Sequence, residues 1–221
     1  MKFESLPEIM QNDTVLAYFN ILQKKKVTLF FKRLFDIVLS FILLIILSPF
    51  FILVAILIKL TSKGPVFYRQ TRITRYYRSF KIFKFRTMIK NADKVGTEVT
   101  VFNDKRVTKV GKILRKTRID EIPQLLNVLI GDMSFVGPRP EVKKYVEAYN
   151  DEMLATLLIK GGVTSPACIK YKNEDKLLKN CPNVDETYVN EILPEKMKYN
   201  FTYLKKINFF LDILIMIRTV L

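Results

Sequence analysis

The feature that most constrains this chain is an uncharged apolar run from Ile37 to Ile58. About 20 apolar residues match the hydrocarbon thickness of a bilayer, so a run of this length is a candidate membrane helix. Ser48 and Pro49 lie near its middle, and a proline inside a helix removes one backbone hydrogen bond. The run therefore crosses a membrane as a kinked helix, enters and leaves by one face, or forms a buried helix of a soluble fold.

The charges on both sides of the run favour the second alternative. Residues 24–33 contain five cations and no acid, and residues 59–90 contain ten cations and no acid. Basic flanks prefer the cytoplasmic side of a membrane, and a single crossing cannot place both there. Each half of the run spans roughly 16 Å as a helix, about half of the hydrocarbon core. We therefore predict a re-entrant helix broken at Ser48-Pro49, with the Ser48 hydroxyl satisfying a carbonyl that the proline frees.

The composition limits the chemistry that the chain can perform. The net charge of +16 indicates anionic partners such as lipid headgroups, nucleotide phosphates or nucleic acid. The sequence has no histidine, which excludes Ser–His hydrolases and His-ligated zinc enzymes. Acid–base chemistry must then use carboxylates, Lys, Tyr, Cys or metal-bound water. Cys168 and Cys181 form no zinc pattern, and we expect them to be ordinary thiols.

The rest of the chain predicts a mainly α fold with a small β element. We divide it into a polar and basic extension (1–31), the re-entrant membrane helix (32–61) and a catalytic domain (62–221) at the cytoplasmic face with interfacial helices. The extension predicts a helix over Thr14–Lys26 but suggests no function. The segment Tyr203–Leu221 predicts one C-terminal helix, which either lies on the membrane interface or packs into the core.

Two strands are expected directly after the membrane segment. Lys63–Gln70 is typical of a turn and a short strand, and Arg78–Met88 alternates apolar and basic residues. The cations of 59–90 suit a surface that faces anionic headgroups, where each basic residue contributes about 1 kcal/mol.

Two adjacent carboxylates, Asp120 and Glu121, carry the strongest chemical signal. They precede an apolar helical pattern with Pro123 in its first turn and Gly131 at its end. One interpretation is structural, with Asp120 as the helix N-cap and Glu121 favourable to the helix dipole. The other makes Asp120 a nucleophile that attacks phosphorus. Glu121 would then be a ligand of Mg²⁺, which proteins hold with one or two carboxylates plus substrate phosphates. Spacing alone leaves both interpretations open.

Three arginines near this pair could bind phosphate. Arg115, Arg118 and Arg139 could clamp diphosphate oxygens and neutralise charge in a transition state. Arg139 lies in the proline-rich stretch FVGPRP, whose stiffness could hold the guanidinium in place.

From about Lys32 onward the chain resembles the bacterial sugar transferases, a family of monotopic phosphoglycosyl transferases. The long central match is the specific one. The matching stretches are KRLFDIVLS (Lys32–Ser40), the Ser48-Pro49 pair, KFRTM (Lys84–Met88), Asp104–Glu141 and FFLDILIMIRTV (Phe209–Val220).

The resemblance implies an enzyme that moves a phospho-sugar from a UDP-sugar to a polyprenyl phosphate, usually undecaprenyl phosphate, and releases UMP. Such enzymes start lipid-linked glycan assembly for exopolysaccharide, capsule, O-antigen or glycoprotein synthesis at the cytoplasmic face of the cytoplasmic membrane. The resemblance implies Mg²⁺ as cofactor and inner-membrane lipids as partners. No nucleic acid is expected, and a homodimer is left open.

Within the family pattern, the Asp120 carboxylate attacks the β-phosphate and Glu121 helps to bind Mg²⁺. Arg115 and Arg139 fall on phosphate-contacting positions. We also assign Lys84, Arg86 and Lys160 to substrate or phosphate binding.

Two segments depart from the family pattern. Gln70–Phe80 has Thr74 and Tyr77 where many members have glycine, and Ile159–Tyr171 has Lys160 where many have arginine. The second departure leaves the identity of the sugar open.

A second class of function rests on the charge alone. The cations of 59–90 would also suit a membrane-anchored nucleic-acid-binding or scaffold protein. The absence of a helix-turn-helix, RRM or zinc signature argues against this alternative.

Overall fold

The structure is a computed structural model that describes residues 2–90, 92, 104–178, 181 and 183–221. It is mainly helical with a small β content, as the sequence predicted, and its four strands form two sheets rather than one β element. The helices are α1 (Asp13–Gln23), α2 (Lys26–Thr61), α3 (Lys109–Lys116), α4 (Gln124–Ile130), α5 (Lys143–Val146), α6 (Asp151–Leu154), α7 (Pro166–Lys170), α8 (Glu174–Leu177), α9 (Val184–Thr187), α10 (Leu193–Lys206) and α11 (Phe209–Val220). The strands are β1 (Phe67–Thr74), β2 (Arg78–Phe85), β3 (Met133–Val136) and β4 (Gly161–Thr164). Short 3-10 turns occupy Phe3–Ser5, Glu8–Met10, Arg75–Tyr77, Ile119–Glu121 and Ala155–Leu158, and a π turn occupies Tyr188–Ile192.

Helix α2 contains the apolar run and is, within the described residues, the one helix long and apolar enough to cross a membrane. It remains helical through Pro49, so the predicted break between two separate helices is not seen. A proline at position 49 cannot donate to the carbonyl of residue 45. The Ser48 hydroxyl donates to the Ile45 carbonyl instead, at 2.8 Å. This bond offsets the missing donor, which explains how the helix continues.

Both halves of α2 pack against the rest of the protein. In the first half, Lys32 forms a buried ion pair with Asp212 of α11 at 2.6 Å. In the second half, Val54 and Ile58 are buried in a cluster with Phe85 of β2. Most other apolar side chains of α2 are exposed, including Phe41, Ile42, Ile45, Ile46, Ile52, Leu53 and Ile56. The helix therefore has one face in the protein core and a wide apolar face outside it.

The two sheets are a hairpin and a parallel pair. Strands β1 and β2 pair antiparallel, with Phe67 opposite Phe85 and Thr74 opposite Arg78. Tyr76 and Tyr77 form the hairpin turn with φ near 60°. This left-handed conformation suits glycine, so it accounts for the glycines that many family members have in this segment. Strands β3 and β4 pair parallel through a crossover that contains α5 and α6.

The N-terminal residues, to which the sequence assigned no role, complete the main hydrophobic core. Val15, Tyr18 and Leu22 of α1 are buried in the cluster that also contains residues of β1, β2, α4 and β3. Helix α1 ends at Gln23, three residues before the predicted end, and Lys26 already belongs to α2.

The predicted single C-terminal helix is two helices. Helix α10 ends at Lys206, and Asn208 caps α11 by accepting a hydrogen bond from the Leu211 amide at 2.9 Å. An asparagine at this position favours a new helix start over continuation of the old one. Helix α11 buries Asp212 and Ile215 and exposes Phe210, Leu214, Ile217 and Val220, so it combines core packing with an apolar outer face.

Candidate active site

The two adjacent carboxylates lie in a tight turn between α3 and α4. Arg118 adopts the left-handed conformation with φ 58°, and a single 3-10 turn follows over Ile119–Glu121. Helix α4 begins only at Gln124, after Pro123. The helix-cap interpretation of Asp120 is therefore wrong, because no helix begins there and its side chain makes no capping hydrogen bond. Gly131 ends α4 in the left-handed conformation, as predicted.

Glu121 is held by two cations from different parts of the fold. Lys84 of β2 donates to Glu121 Oε1 at 2.9 Å. Arg139, in the loop after β3, donates to both carboxylate oxygens, with Nη1 3.2 Å from Oε2. Burial raises the pKa of the Glu121 carboxyl, but the charges of Arg139 and Lys84 outweigh burial and hold the pKa well below its usual range. Glu121 is thus a fixed anion that aligns two cations, Lys84 and Arg139, which the sequence analysis assigned to phosphate binding.

Asp120 has a different environment. It is buried, and its Oδ1 has no hydrogen-bond partner among the residues that the structure describes. Burial raises the pKa of the Asp120 carboxyl, while the charges of Lys84 and Arg115 oppose that rise. Because Oδ1 makes no hydrogen bond within the described part of the chain, none has to break when that oxygen forms a bond to an electrophile.

Both carboxylates line a cleft with a volume of about 1310 Å³. Its wall near them is basic: Lys84, Arg86, Arg115, Arg118 and Arg139 line it together with Arg69, Arg72 and Arg106. Five of the ten cations of the 59–90 segment line this cleft (Arg69, Arg72, Lys84, Arg86 and Lys90). The cation-rich segment therefore serves largely as the wall of a concave site for an anionic ligand.

Two of the predicted phosphate-binding arginines are held on the wall by their neighbours. Arg115 Nε donates to the Thr87 hydroxyl at 2.8 Å. Arg118 is exposed and donates to the Lys172 carbonyl at 3.1 Å. Each retains further guanidinium donors that can reach a ligand.

Arg86 also lines the cleft, but its Nη2 is engaged elsewhere. It donates to the carbonyl and the hydroxyl of Ser62, both at 2.7 Å. Ser62 directly follows α2, and Arg86 directly follows β2. The two hydrogen bonds therefore join the end of the membrane helix to the end of β2. Gly64, two residues after Ser62, has φ +127°, a conformation that requires glycine, and a Cβ there would also lie 2.3 Å from Arg86 Nη1.

Lys160 does not lie with the other predicted site residues. It is not among the residues that line the cleft. Its Nζ lies beside Gly131 and near Arg33, whose guanidinium donates to the last carbonyls of α4. Burial and the neighbouring charges of Arg33 and Arg75 lower the pKa of Lys160 to about 8. The family resemblance suggested that Lys160 lies near the substrate. The parallel pairing of β4 with β3 instead places it at the end of α4.

The donor set at this site fits a magnesium ion that arrives with its substrate. Among the described residues no cluster of three or more acidic, Cys or His side chains could hold a metal alone. Asp120 and Glu121 are adjacent and both line the cleft, and Asp120 Oδ1 has no hydrogen-bond partner among the described residues. Mg²⁺ is commonly held by one or two carboxylates and substrate phosphates, so these two residues suffice if a diphosphate supplies the rest.

A second polar network, which the sequence analysis missed, supports the Arg139 loop. The Glu141 carboxylate accepts a hydrogen bond from Tyr188 at 2.6 Å and pairs with Lys196 and Arg72, each at 3.5 Å. Arg72 also donates to the Pro140 carbonyl at 3.2 Å. Glu141 stands at the end of the proline-rich stretch, but nothing in the sequence links it to partners so far along the chain.

The chain is similar to known proteins over most of its length. Residues 27–221 match the family model described as bacterial sugar transferase. A UDP-N-acetylgalactosamine-undecaprenyl-phosphate N-acetylgalactosaminephosphotransferase of Aeromonas hydrophila is 36% identical over 194 residues, which are 86% of this chain and 43% of that protein. A UDP-glucose:undecaprenyl-phosphate glucose-1-phosphate transferase of Klebsiella pneumoniae is 38% identical over 200 residues, covering 88% of this chain and 40% of that protein. The exopolysaccharide production protein ExoY of Rhizobium meliloti is 33% identical over 204 residues, covering 86% of this chain and 83% of that protein. The chain thus spans about two fifths of the first two relatives and most of the third.

Proposed function

Because the chain belongs to the bacterial sugar transferase family, we propose that it transfers a phospho-sugar from a UDP-sugar to a polyprenyl phosphate and releases UMP. The observation that carries the proposal is that two adjacent carboxylates, Asp120 and Glu121, have different environments. Asp120 has a buried oxygen without a hydrogen-bond partner in the described ranges. Its neighbour Glu121 accepts hydrogen bonds from Lys84 and Arg139 in a basic cleft. The names of the relatives from Aeromonas and Klebsiella support a UDP-sugar donor and undecaprenyl phosphate as acceptor.

In the proposed first step, an Asp120 oxygen attacks the β-phosphorus of the UDP-sugar. The bond between the β-phosphorus and the bridging oxygen breaks, UMP leaves with that oxygen, and the phospho-sugar remains on Asp120 as an acyl-phosphate ester. Lys84, Arg115 and Arg139 line the cleft where they can bind diphosphate oxygens and stabilise the charge that develops on them. Asp120 and Glu121 are the residues that would hold Mg²⁺, which when bound neutralises phosphate charge.

In the proposed second step, an oxygen of the acceptor phosphate attacks the phosphorus of the ester. The Asp120 carboxylate leaves and is regenerated, and the product is a polyprenyl diphosphate sugar. One carboxylate thus serves both steps, and the net reaction exchanges UMP for the polyprenyl phosphate.

The test uses purified protein with Mg²⁺, a panel of UDP-sugars and undecaprenyl phosphate, with UMP release as the readout. We expect release with at least one sugar, and a phospho-sugar adduct on Asp120 in acid-quenched protein by mass spectrometry. Asp120→Asn should abolish both, whereas Asp151→Asn, at an exposed position outside the cleft, should retain them. Release that survives in Asp120→Asn would refute the nucleophile assignment.

We further propose that α2 is re-entrant and that the catalytic domain lies at the cytoplasmic face. Arg33 and Ile58 both contact the same domain, through α4 and β2 respectively. They are 25 positions apart in one helix, which is roughly 38 Å along a straight axis and more than the ~30 Å hydrocarbon core. A crossing helix would require this domain to reach both sides of the bilayer, and a helix bent at Pro49 would not.

Cysteine labelling in cells tests the topology. Cys168 and Cys181 are first replaced, and single cysteines are introduced at the exposed positions Ser5 and Lys90. We expect both to be protected from a membrane-impermeant thiol reagent in intact cells and both to react after the inner membrane is permeabilised. Reaction of the two positions from opposite sides would show that α2 crosses.

A further inference from the structure

The catalytic cleft extends from the carboxylates to the membrane helix and to the C-terminal helix. Leu43 and Leu47 of α2 line it, and so do Arg218 and Thr219 of α11. Leu43 and Leu47 are one helical turn apart and half-buried, whereas Ile46, next to Leu47, is 64% exposed on the outer face. This end of the cleft, between α2 and α11, therefore opens beside the segment that we place in the membrane.

The last turn of α11 is connected to the loop that carries Arg139. The hydroxyls of Thr219 and Thr164 share a hydrogen bond of 2.6 Å. The Thr164 carbonyl accepts a bond from the Gly137 amide at 3.0 Å, two residues before Arg139. Two hydrogen bonds thus fix the position of Arg218, the neighbour of Thr219, relative to the loop that holds the phosphate-binding guanidinium.

Arg218 is free to bind a ligand. It is exposed, lines the cleft, and has no ion pair or side-chain hydrogen bond with any residue that the structure describes. Five other cations that line the cleft each have a protein partner: Lys84, Arg86, Arg115, Arg118 and Arg139. A cation without a partner, at the apolar end of a cleft, suits a ligand that carries both an anionic group and a hydrocarbon chain.

We propose that this end of the cleft is the entry and binding site of the polyprenyl phosphate acceptor. The isoprenoid chain lies against Leu43 and Leu47, and Arg218 binds the acceptor phosphate as it approaches Asp120. This inference rests on the proposed function. The donor does not fit this end, because a UDP-sugar has no hydrocarbon chain to cover the two leucines. The acceptor fits on both counts, since it joins a phosphate to a long apolar chain.

The experiment separates the two half-reactions. Exchange of labelled UMP into the UDP-sugar requires the donor and Asp120 but no acceptor, whereas product formation also requires the acceptor. In Arg218→Gln, we expect unchanged exchange and a KM for undecaprenyl phosphate raised about tenfold, the size of one lost charge-assisted contact. Lys206→Gln removes the same charge from an exposed residue of α10 outside the cleft and should behave as wild type.

The leucine side of the site is tested with a matched pair on α2. Leu47→Ala should raise the KM for undecaprenyl phosphate severalfold, because it removes apolar contact with the chain. Ile46→Ala makes a similar truncation on the outer face and should leave that KM unchanged.

Three results would overturn the inference. The first is a wild-type KM for the acceptor in Arg218→Gln, and the second is an equal loss of exchange and product formation. The third is release of this variant from membranes in a sedimentation assay, which would assign Arg218 to lipid headgroups instead. A wild-type protein that neither exchanges UMP nor forms product would refute the proposed function itself.

Discussion

Replacement of Glu121 by glutamine should destabilise the protein, although replacement of its neighbour Asp120 by asparagine should not. Glu121 accepts three hydrogen bonds from Lys84 and Arg139, so Glu121→Gln leaves two cations without their counter-charge. Asp120 has an oxygen without a partner, and burial raises the pKa of its carboxyl. Its charged form is therefore less favourable in the folded than in the unfolded protein, and asparagine removes that penalty at neutral pH.

The loss of unfolding free energy in Glu121→Gln follows from how deeply the two ion pairs of Glu121 are buried. Removing one partner of a buried pair costs about 3–5 kcal/mol. The side chains of Glu121, Lys84 and Arg139 remain 12%, 19% and 25% exposed, so water can partly replace the lost contacts. We therefore take the lower end, about 3 kcal/mol. In a chain of this size each kcal/mol shifts Tm by about 2–4 °C, which gives a fall of roughly 6–12 °C for Glu121→Gln.

Thermal unfolding in one detergent or nanodisc preparation, followed by circular dichroism, measures the effect. Asp120→Asn should melt at or above the wild-type Tm. Glu147→Gln breaks an exposed pair with Lys143 and serves as the control, with an expected change within about 0.5 kcal/mol. The loss in Glu121→Gln should shrink only below about pH 4.3, as the pH falls towards the lowered pKa of Glu121. A wild-type Tm for Glu121→Gln at neutral pH would contradict the role of Glu121 as the anion that fixes these cations.

Further predictions concern the pH dependence of UMP exchange and the buried ion pair between α2 and α11. Because the attacking form of Asp120 is the carboxylate and burial raises its pKa, the rate of UMP exchange should fall on acidification with an apparent pKa above the ordinary value of about 3.9. Arg115 opposes that rise, so Arg115→Gln should move the acid limb to higher pH, and an acid limb at lower pH would contradict the assignment. Lys32→Met leaves the buried Asp212 without its cation and should cost about 3–5 kcal/mol in thermal unfolding. The double variant Lys32→Met/Asp212→Asn should recover most of that loss, since asparagine still accepts the hydrogen bond of Tyr203.

Features set by neighbouring residues could be predicted from the sequence. The long apolar helix, the strand pair after it and the glycine that ends α4 follow from apolar periodicity and from the conformational freedom of glycine. The family resemblance was also confirmed over residues 27–221. The bond of the Ser48 hydroxyl to a freed carbonyl was predicted correctly, but the continuity of α2 through Pro49 was not, because the local pattern does not show that this one bond keeps the helix unbroken.

The site could be predicted only in part. Asp120, Glu121, Arg115, Arg118 and Arg139 lie on one cleft, as the central segment suggested. The left-handed Arg118 was not foreseen, and it ends the path of α3 before the 3-10 turn that carries Asp120 and Glu121. The contacts of Glu141 with Tyr188 and Lys196 join segments about 50 residues apart, and such pairs are determined by tertiary packing rather than by local pattern.

The way α2 is packed has a consequence for how the protein is made. Phe85 and Leu114 bury their side chains against Val54 and Ile58, so the catalytic domain cannot complete its core without the membrane helix. The helix leaves the ribosome first, and its exposed apolar face requires lipid before the later strands and helices exist. Membrane insertion therefore comes before domain folding, and the inserted helix serves as the template on which the domain assembles. A catalytic fragment cut after Thr61 should accordingly aggregate rather than fold as a soluble enzyme.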